Sequence, residues 1–388
     1  MKIAFAYTTF SDTGGVERAS RDLAASLARR GHPIDFHCAE VRAEAPEGIT
    51  LHRHRVPAWP HALQIAAFAR AASAGISRTP VDIVHAHGVF MGADVITAQS
   101  CHRAGLAAQK LIPGSSSRPG RNLGLSDAVR LHQERAVFTQ RRYRAIISVS
   151  GGVRDELLRE YGVPPEDVVV IPNGADVSRF DPVHRARDRR PVLDRFGIPQ
   201  DALVLLFIGN EFHRKGLHEC ILGLMDAGRV SAHLLVGGGD DPHAFERLAQ
   251  ECGIGGRVHF TGNVPDVERL FAAADAFLFP TAYEAFSLAM IEAAAAGLPL
   301  LLTPVNGAVE LLTDGVEGMF IQRSRESVAR AIRTIADDPA RARAMGGAAR
   351  AKAMEYTWDR IAERTLTVYA QAHERKGTTR DRSIRGRA

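Results

Sequence analysis

Cysteine is scarce in this 388-residue chain: Cys38, Cys101, Cys220 and Cys252 stand far apart, and no C-x-x-C pair occurs. That spacing excludes a disulfide framework and a cysteine-based zinc module, and it fits reduced cytosolic thiols packed as small core residues. A long apolar run is missing as well. No stretch approaches the roughly 20 residues that a spanning helix needs, so no transmembrane anchor is expected. The opening, MKIAFAYTTFSDTGG, reads as a short strand passing directly into a polar turn, not as a signal peptide. Neither G-x-S-x-G nor a cysteine–histidine protease signature is present, which leaves covalent hydrolysis without a nucleophile. The absence of any short-period repeat excludes a solenoid.

What is present describes a globular protein. Apolar residues are 45% and charged residues 24%, which excludes a disordered chain, and the length implies two domains. The net charge of +5 is mild but uneven: arginines 118, 121, 130, 135, 141, 142 and 144 are offset only by Asp127 and Glu134, so this segment alone carries +5. It reads either as a solvated arginine-rich helix face or as a surface drawn to an anionic membrane leaflet or a phosphorylated acceptor. Nucleic acid is not expected, because the segment has few interleaved aromatics and no recognisable binding module. The tail ERKGTTRDRSIRGRA is basic, lacks apolar periodicity and is expected to be disordered over 375–388.

Short apolar strands alternate with amphipathic helical stretches. KIAFAY, PIDFHCAE, VDIVHAHG, DVITAQ, AIISVS and VVVIPNG form one series; LVLLFIGN, HLLVGGG, VHFTGN, AFLFP and LPLLLTP form a second. Near-continuous apolar strands with crossover helices imply parallel sheets covered on both faces, and hence an α/β chain of two doubly wound, Rossmann-like domains. Pro172, Gly174 and Pro182 break the pattern, placing the domains at 1–172 and 173–356. Ligands of such sheets bind at the carboxyl ends of the strands, so two domains in series suggest a cleft between facing strand ends.

The strand ends carry the chemistry. In GNEFHRKGL, Arg214 and Lys215 stand between a strand end and the next helix, where paired cations suit an anion such as diphosphate. In TAYEAFSLAMIEAAAAG, Ser287 is a plausible N-cap, leaving the N–H groups near Ser287, Leu288 and Ala289 for phosphate oxygens. Glu284 precedes them. Glu292 lies one helix segment further on, and its carboxylate suits a pair of hydroxyls, as on a ribose. The bland alternative makes both glutamates solvated acids on an alanine-rich helix. SDTGGVER and VGGGD permit close backbone approach but do not form the G-x-G-x-x-G of a dehydrogenase. His85 with His87, and His52 with His54, are i, i+2 pairs without a third ligand nearby, so no metal site is expected.

Taken together, GGVER, VVVIPNGAD, FIGNEFHRKGL, LLVGGG, VHFTGNV, AFLFPTAYEAFSLAMIEAAAAGLPLLLT and YTWDRIAERTL resemble the retaining nucleotide-sugar glycosyltransferases of family four. The likeness covers the chain to about residue 372 and implies the GT-B fold. It places Glu284 by the donor sugar, Glu292 on the ribose hydroxyls, Arg214 and Lys215 on the leaving diphosphate, and Val264 at the base through its backbone. Gly15, Gly209, Phe286, Ser287 and Leu288 complete the implied donor-binding set. It further implies same-face attack on the sugar without a metal or other cofactor, and a closing helix at 357–374 that returns to the first domain. Many relatives have a histidine where this chain has Gln99; His102, three residues later, is the alternative candidate for that role. Within the family, EFHRKGL and this altered histidine region look most like lipopolysaccharide-core glucosyltransferases.

The expected activity is transfer of a glucose-like hexose from a nucleoside diphosphate sugar, with uridine the first choice of base. The acceptor is a glycan or lipid-linked acceptor, and the expected location is the cytoplasm, with peripheral membrane contact through the basic segment. Two other readings share the architecture: a nucleotide-sugar 2-epimerase, and a non-catalytic nucleotide-sugar binder.

Overall fold

The structure is a computed structural model that describes residues 1–57, 61–110 and 124–385. Arg118 and Arg121 of the basic segment, and residues 386–388 of the tail, lie outside the described residues. The chain forms two compact units. The first takes Met1–Ala107, residues 124–174 and the C-terminal helix; the second is built on Ala175–Thr357.

The first unit contains a parallel sheet of seven strands in the order Ile49–Arg53, Ile34–Cys38, Ile3–Ala6, Ile83–His87, Val95–Ala98, Ala145–Ser148, Val168–Val170. The second has six parallel strands in the order Val258–Gly262, Ala232–Gly237, Leu203–Ile208, Ala276–Phe279, Leu300–Leu302, Gly318–Phe320. By position in the chain, both sheets begin 3-2-1-4-5-6, the doubly wound order of a Rossmann sheet. The order reverses between the first and fourth strands of each unit, and the crevice at that reversal is where such sheets take ligands.

Burial explains the apolar runs. Ile3, Ala4, Phe5, Val204, Leu205, Leu206, Phe207, Phe277 and Phe279 are all inaccessible to solvent, as strands covered on both faces must be. Each such large apolar side chain contributes about 1.5–3 kcal/mol on burial. Helix Gly15–Arg29 covers the first sheet with Ala19, Leu23, Ala24 and Leu27 and ends at Gly31, whose φ of 84° is left-handed.

Three features depart from the sequence reading. Strands Ile49–Arg53 and Gly318–Phe320 join the edges of the two sheets. The first is masked by His52 and Arg53, and the second is too short to show a period. The final helix runs over Trp358–Arg385, so the backbone is helical where a disordered tail is expected from 375. No proline interrupts that stretch, and Gly377 alone weakens it. The helix is anchored in the first unit: Tyr369 is fully buried with its hydroxyl 2.5 Å from His85 Nδ1, and Asp359 accepts from Ser26 Oγ at 2.6 Å.

Candidate active site

The order reversal in the second unit lies between Leu203–Ile208 and Ala276–Phe279, and the two segments leaving these strands carry Arg214, Lys215 and Glu284. After Leu203–Ile208 the chain turns through Gly209, Asn210 and Glu211 into a one-turn helix, Phe212–Lys215, then through Gly216 into helix Leu217–Asp226. Two glycines make this possible. Gly209 has φ +147°, which L side chains rarely adopt, and a Cβ there would lie 2.7 Å from Lys215 Cδ and push the lysine stem aside. A Cβ on Gly216, at φ +87°, would lie 2.3 Å from the carbonyl oxygen of Pro280, so the two segments touch backbone to backbone there. Ala282 N donates to Arg214 O at 3.0 Å and stitches them further. Glu211 adopts φ 58°, a left-handed conformation that costs a non-glycine residue about 1 kcal/mol or more.

Glu284 accepts from Lys215 Nζ at 2.6 Å and from Arg214 Nη1 at 3.2 Å. All three side chains are largely withdrawn from water, at 12%, 11% and 15% exposure. Burial by itself would raise the Glu284 carboxyl, but the Lys215 and Arg214 cations overcome it and hold the group below the ordinary carboxylate range. Burial likewise works against the Arg214 charge, and Glu284 and Glu211 outweigh it. Arg214 is held through all three nitrogens: Nε and Nη2 reach Glu211 Oε2 at 3.1 and 2.8 Å, and Nη1 also donates to the carbonyl of Tyr283. Lys215 Nζ stands 4.7 Å from the Phe279 ring centroid, a cation–π contact.

The two cations stand between the end of strand Leu203–Ile208 and helix Leu217–Asp226, where they close a one-turn helix and face a carboxylate of their own chain. Glu211 and Phe279, both in contact with the cations, carry no signal in the sequence pattern. The solvated alternative for the acids does not hold: Glu292 is 2% exposed on the wholly buried helix Leu288–Ala295. Ser287 is the N-cap residue of that helix, and its side chain makes no capping hydrogen bond. Phe286 and Leu288 are buried, with Phe286 5.7 Å from the Tyr356 ring; Val264 lies half-buried in the loop after Val258–Gly262.

Gly15 and His102 belong to the first unit. Gly15 begins helix Gly15–Arg29 with open space where a Cβ would be. His102 begins helix His102–Lys110, its backbone N–H on the buried carboxylate of Glu134 at 2.8 Å and its Nε2 3.3 Å from Asp127. Gln99, at the end of strand Val95–Ala98, forms a reciprocal amide pair with Asn173 at 3.0 Å in both directions and reaches His87 Nδ1 at 3.5 Å. His87 Nε2 is buried with no partner among the described residues, and burial lowers this imidazole to about 3. In the basic segment, Arg141 and Arg144 are tied to Asp167 and Asp94 at 2.8 and 3.0 Å, while Arg130, Arg135 and Arg142 are exposed. Among the described residues no group of three or more His, Cys, Asp or Glu is arranged to hold a metal, and no helix is long and apolar enough to cross a membrane.

Comparison with known proteins accounts for most of the chain. Residues 188–352 match the family model Glycosyl transferases group 1, and residues 13–179 match Glycosyltransferase Family 4. A D-inositol 3-phosphate glycosyltransferase of Catenulispora acidiphila is 29% identical, over 94% of this chain and 92% of the relative. The lipopolysaccharide glucosyltransferase WaaG of Escherichia coli is 27% identical, over 83% of this chain and 85% of the relative. The crystal structure of WaaG, a glycosyltransferase involved in lipopolysaccharide biosynthesis, is similar with a TM-score of 0.82 at 25% identity, covering 95% of this chain and 99% of that one.

Proposed function

Since the chain belongs to the family-four glycosyltransferases of the GT-B fold, we propose that it is a retaining hexosyltransferase that uses a nucleoside diphosphate sugar, UDP-glucose first. The acceptor is a glycan or lipid-linked saccharide of the cell surface, such as a lipopolysaccharide core. The observation that carries this reading is the buried cluster of Lys215, Arg214 and Glu284 at the order reversal of the second sheet. Likeness to WaaG and to inositol-phosphate glycosyltransferases supports a hexose donor and a hydroxyl acceptor.

In the proposed reaction the bond between the anomeric carbon and the diphosphate oxygen breaks. The acceptor oxygen attacks the same face, and its proton passes to the departing phosphate. Charge grows on the diphosphate as it leaves, and Lys215 and Arg214 are the groups that meet it. Cations preorganised in a dry site are worth far more than in water, and their loss typically costs about 10²–10³ in rate. They supply the positive charge for which other transferases use a metal, so turnover is proposed to be independent of divalent ions. Glu292 takes the ribose hydroxyls, and Glu284 stays ionised beside the sugar. First-unit loops are proposed to bind the acceptor, with the exposed Arg130, Arg135 and Arg142 attracting an anionic surface.

The test is a thermal-shift screen with UDP-, GDP- and ADP-sugars, each with and without EDTA, followed by NMR of the product anomer. A rise with one nucleotide class that EDTA leaves unchanged, together with retained anomeric configuration, is the expected result. Loss of the shift in EDTA would sink the metal-independent reading, and an inverted product would sink the retaining one.

A further inference from the structure

Arg323 lies 109 positions beyond Arg214 in the chain, and its side chain is 15% exposed. Its guanidinium is used on every edge. Nη1 donates to Arg214 O at 2.5 Å and reaches Pro280 O at 3.5 Å; Nη2 donates to His213 O at 2.6 Å; Nε meets Glu219 Oε1 at 3.1 Å. The carbonyls it takes are those at the end of the one-turn helix Phe212–Lys215. A single turn does not sustain itself, and its last carbonyls are satisfied from beyond it: His213 O takes Gly216 N–H at 3.3 Å and Arg214 O takes Ala282 N–H at 3.0 Å, each with the guanidinium as a second donor. A cation there supplies hydrogen bonds and complements the local dipole. The same guanidinium also touches the segment that leads to Glu284, through Pro280, and it is oriented by Glu219 on the following helix, Leu217–Asp226.

We propose that Arg323 is a positioning residue for glycosyl transfer: it joins the backbone carrying Arg214 and Lys215 to the backbone carrying Glu284, and so sets the spacing of the three charged groups. It acts through main-chain carbonyls and touches none of the three charged side-chain groups. A lysine there would keep the charge but lose the planar fork that spans carbonyls and carboxylate together. The inference rests on the reading that Lys215, Arg214 and Glu284 serve the donor.

The test uses the full chain with UDP-glucose as probe and water as the acceptor, and counts the UDP and free glucose released. Displacements of about 1 Å around reacting groups cost up to about 100-fold, and Arg323→Met is expected to lower kcat about 30-fold with less than a threefold change in KM. Arg323→Lys is expected to lose about fivefold, and it serves if the methionine variant does not fold. In a Lys215→Ala background, Arg323→Met is expected to cost less than threefold more, because its effect runs through the lysine already removed. A full further 30-fold loss in that background would mark an independent structural role and overturn the proposal, as would unchanged kcat in both single variants. Amide hydrogen exchange supplies an arm that needs no turnover: Arg323→Met should speed exchange over 212–216 and 280–284 and spare the strands. If the unaltered protein releases no nucleoside diphosphate from UDP-, GDP- or ADP-sugars, the reaction reading fails while the exchange arm still decides the positioning. Unchanged exchange overturns it.

Discussion

The two units share a strand order but fill their strands differently. In the first, the sheet holds titratable and polar side chains in its interior: Asp35, His37, His85, His87, Thr97 and Ser148 are all buried. In the second, Leu203–Ile208, Ala276–Phe279 and Leu300–Leu302 are apolar throughout, and the charged groups collect in the loops beyond the strand ends. The exceptions, His233 and His259, lie near the starts of their strands and bond each other at 2.9 Å. One unit thus places ionisable groups along its central strands, whereas the other keeps its central strands apolar and sets a compact charged cluster beyond their ends. Gathered charge on a rigid apolar support is what preorganised electrostatics require. Dispersed imidazoles make the fold itself sensitive to pH.

The sharpest test of the gathered cluster is its carboxylate. Glu284→Gln is expected to lower turnover about 10²–10³-fold, with circular dichroism unchanged; kinetics within threefold of the unaltered protein would return the cluster to a structural ion pair. Glu292→Ala is expected to act on binding, raising KM for the donor about tenfold, as loss of charged hydrogen bonds to a ligand of about 1.5–3 kcal/mol implies. A fall in kcat at unchanged KM would contradict its assignment to the ribose.

The dispersed imidazoles make the next prediction. Burial, with His52 and His54 adding to it, lowers His37 to about 4; burial lowers His87 to about 3; and burial, with His87 adding to it, holds His85 well below the usual value. Each folded value lies below that of the unfolded chain, near 6.5, so the unfolded state takes up protons first as the pH falls. The stability these rings contribute is present above about pH 6.5 and is lost progressively toward about pH 4 for His37 and about pH 3 for His87, by about 2 kcal/mol for each at pH 5. The second unit also has depressed imidazoles in His233 and His259 but fewer of them, with His259 at about 4. Hydrogen exchange at pH 7 and pH 5 should therefore show the first unit opening before the second. Equal acceleration in both would remove the contrast.

Two smaller effects sharpen it further. Gly209→Ala places a methyl group where the Lys215 stem runs, and it is expected to raise KM for the donor severalfold, about 1 kcal/mol, measured by the same UDP-release assay. His102→Ala, in the first unit with its Nε2 3.3 Å from Asp127, is expected to change turnover less than about threefold, a difference below 1 kcal/mol. A larger loss would move chemistry into the first unit.

Much of the fold is legible in the sequence because buried parallel strands must be mostly apolar, and eleven such runs stand out, even where the first sheet admits a buried histidine or aspartate. In the two large sheets, the strands that were not legible are two of the four edge strands. Ile49–Arg53 carries His52 and Arg53 because an edge strand has one side toward solvent, and Gly318–Phe320 needs only three residues to cap a sheet. Within the site, Arg214, Lys215, Glu284 and Glu292 stand out by charge type and by spacing from strand ends. Glu211, Phe279 and Arg323 do not, since nothing local distinguishes a glutamate in a left-handed turn, a core phenylalanine or an arginine 109 residues away.

By itself the sequence determined the class of the chain: two parallel α/β units, a family signature, and a set of charged residues beyond the strands of the second. Periodicity and residue chemistry are local properties, and they are written in order along the chain. Only the tertiary structure decided that Lys215 and Arg214 meet Glu284 within a buried cluster, and that Arg323 ties their backbones together. Those contacts depend on which strands become neighbours and on two bare glycine α-carbons that let segments 69 and 70 positions apart come within hydrogen-bonding distance.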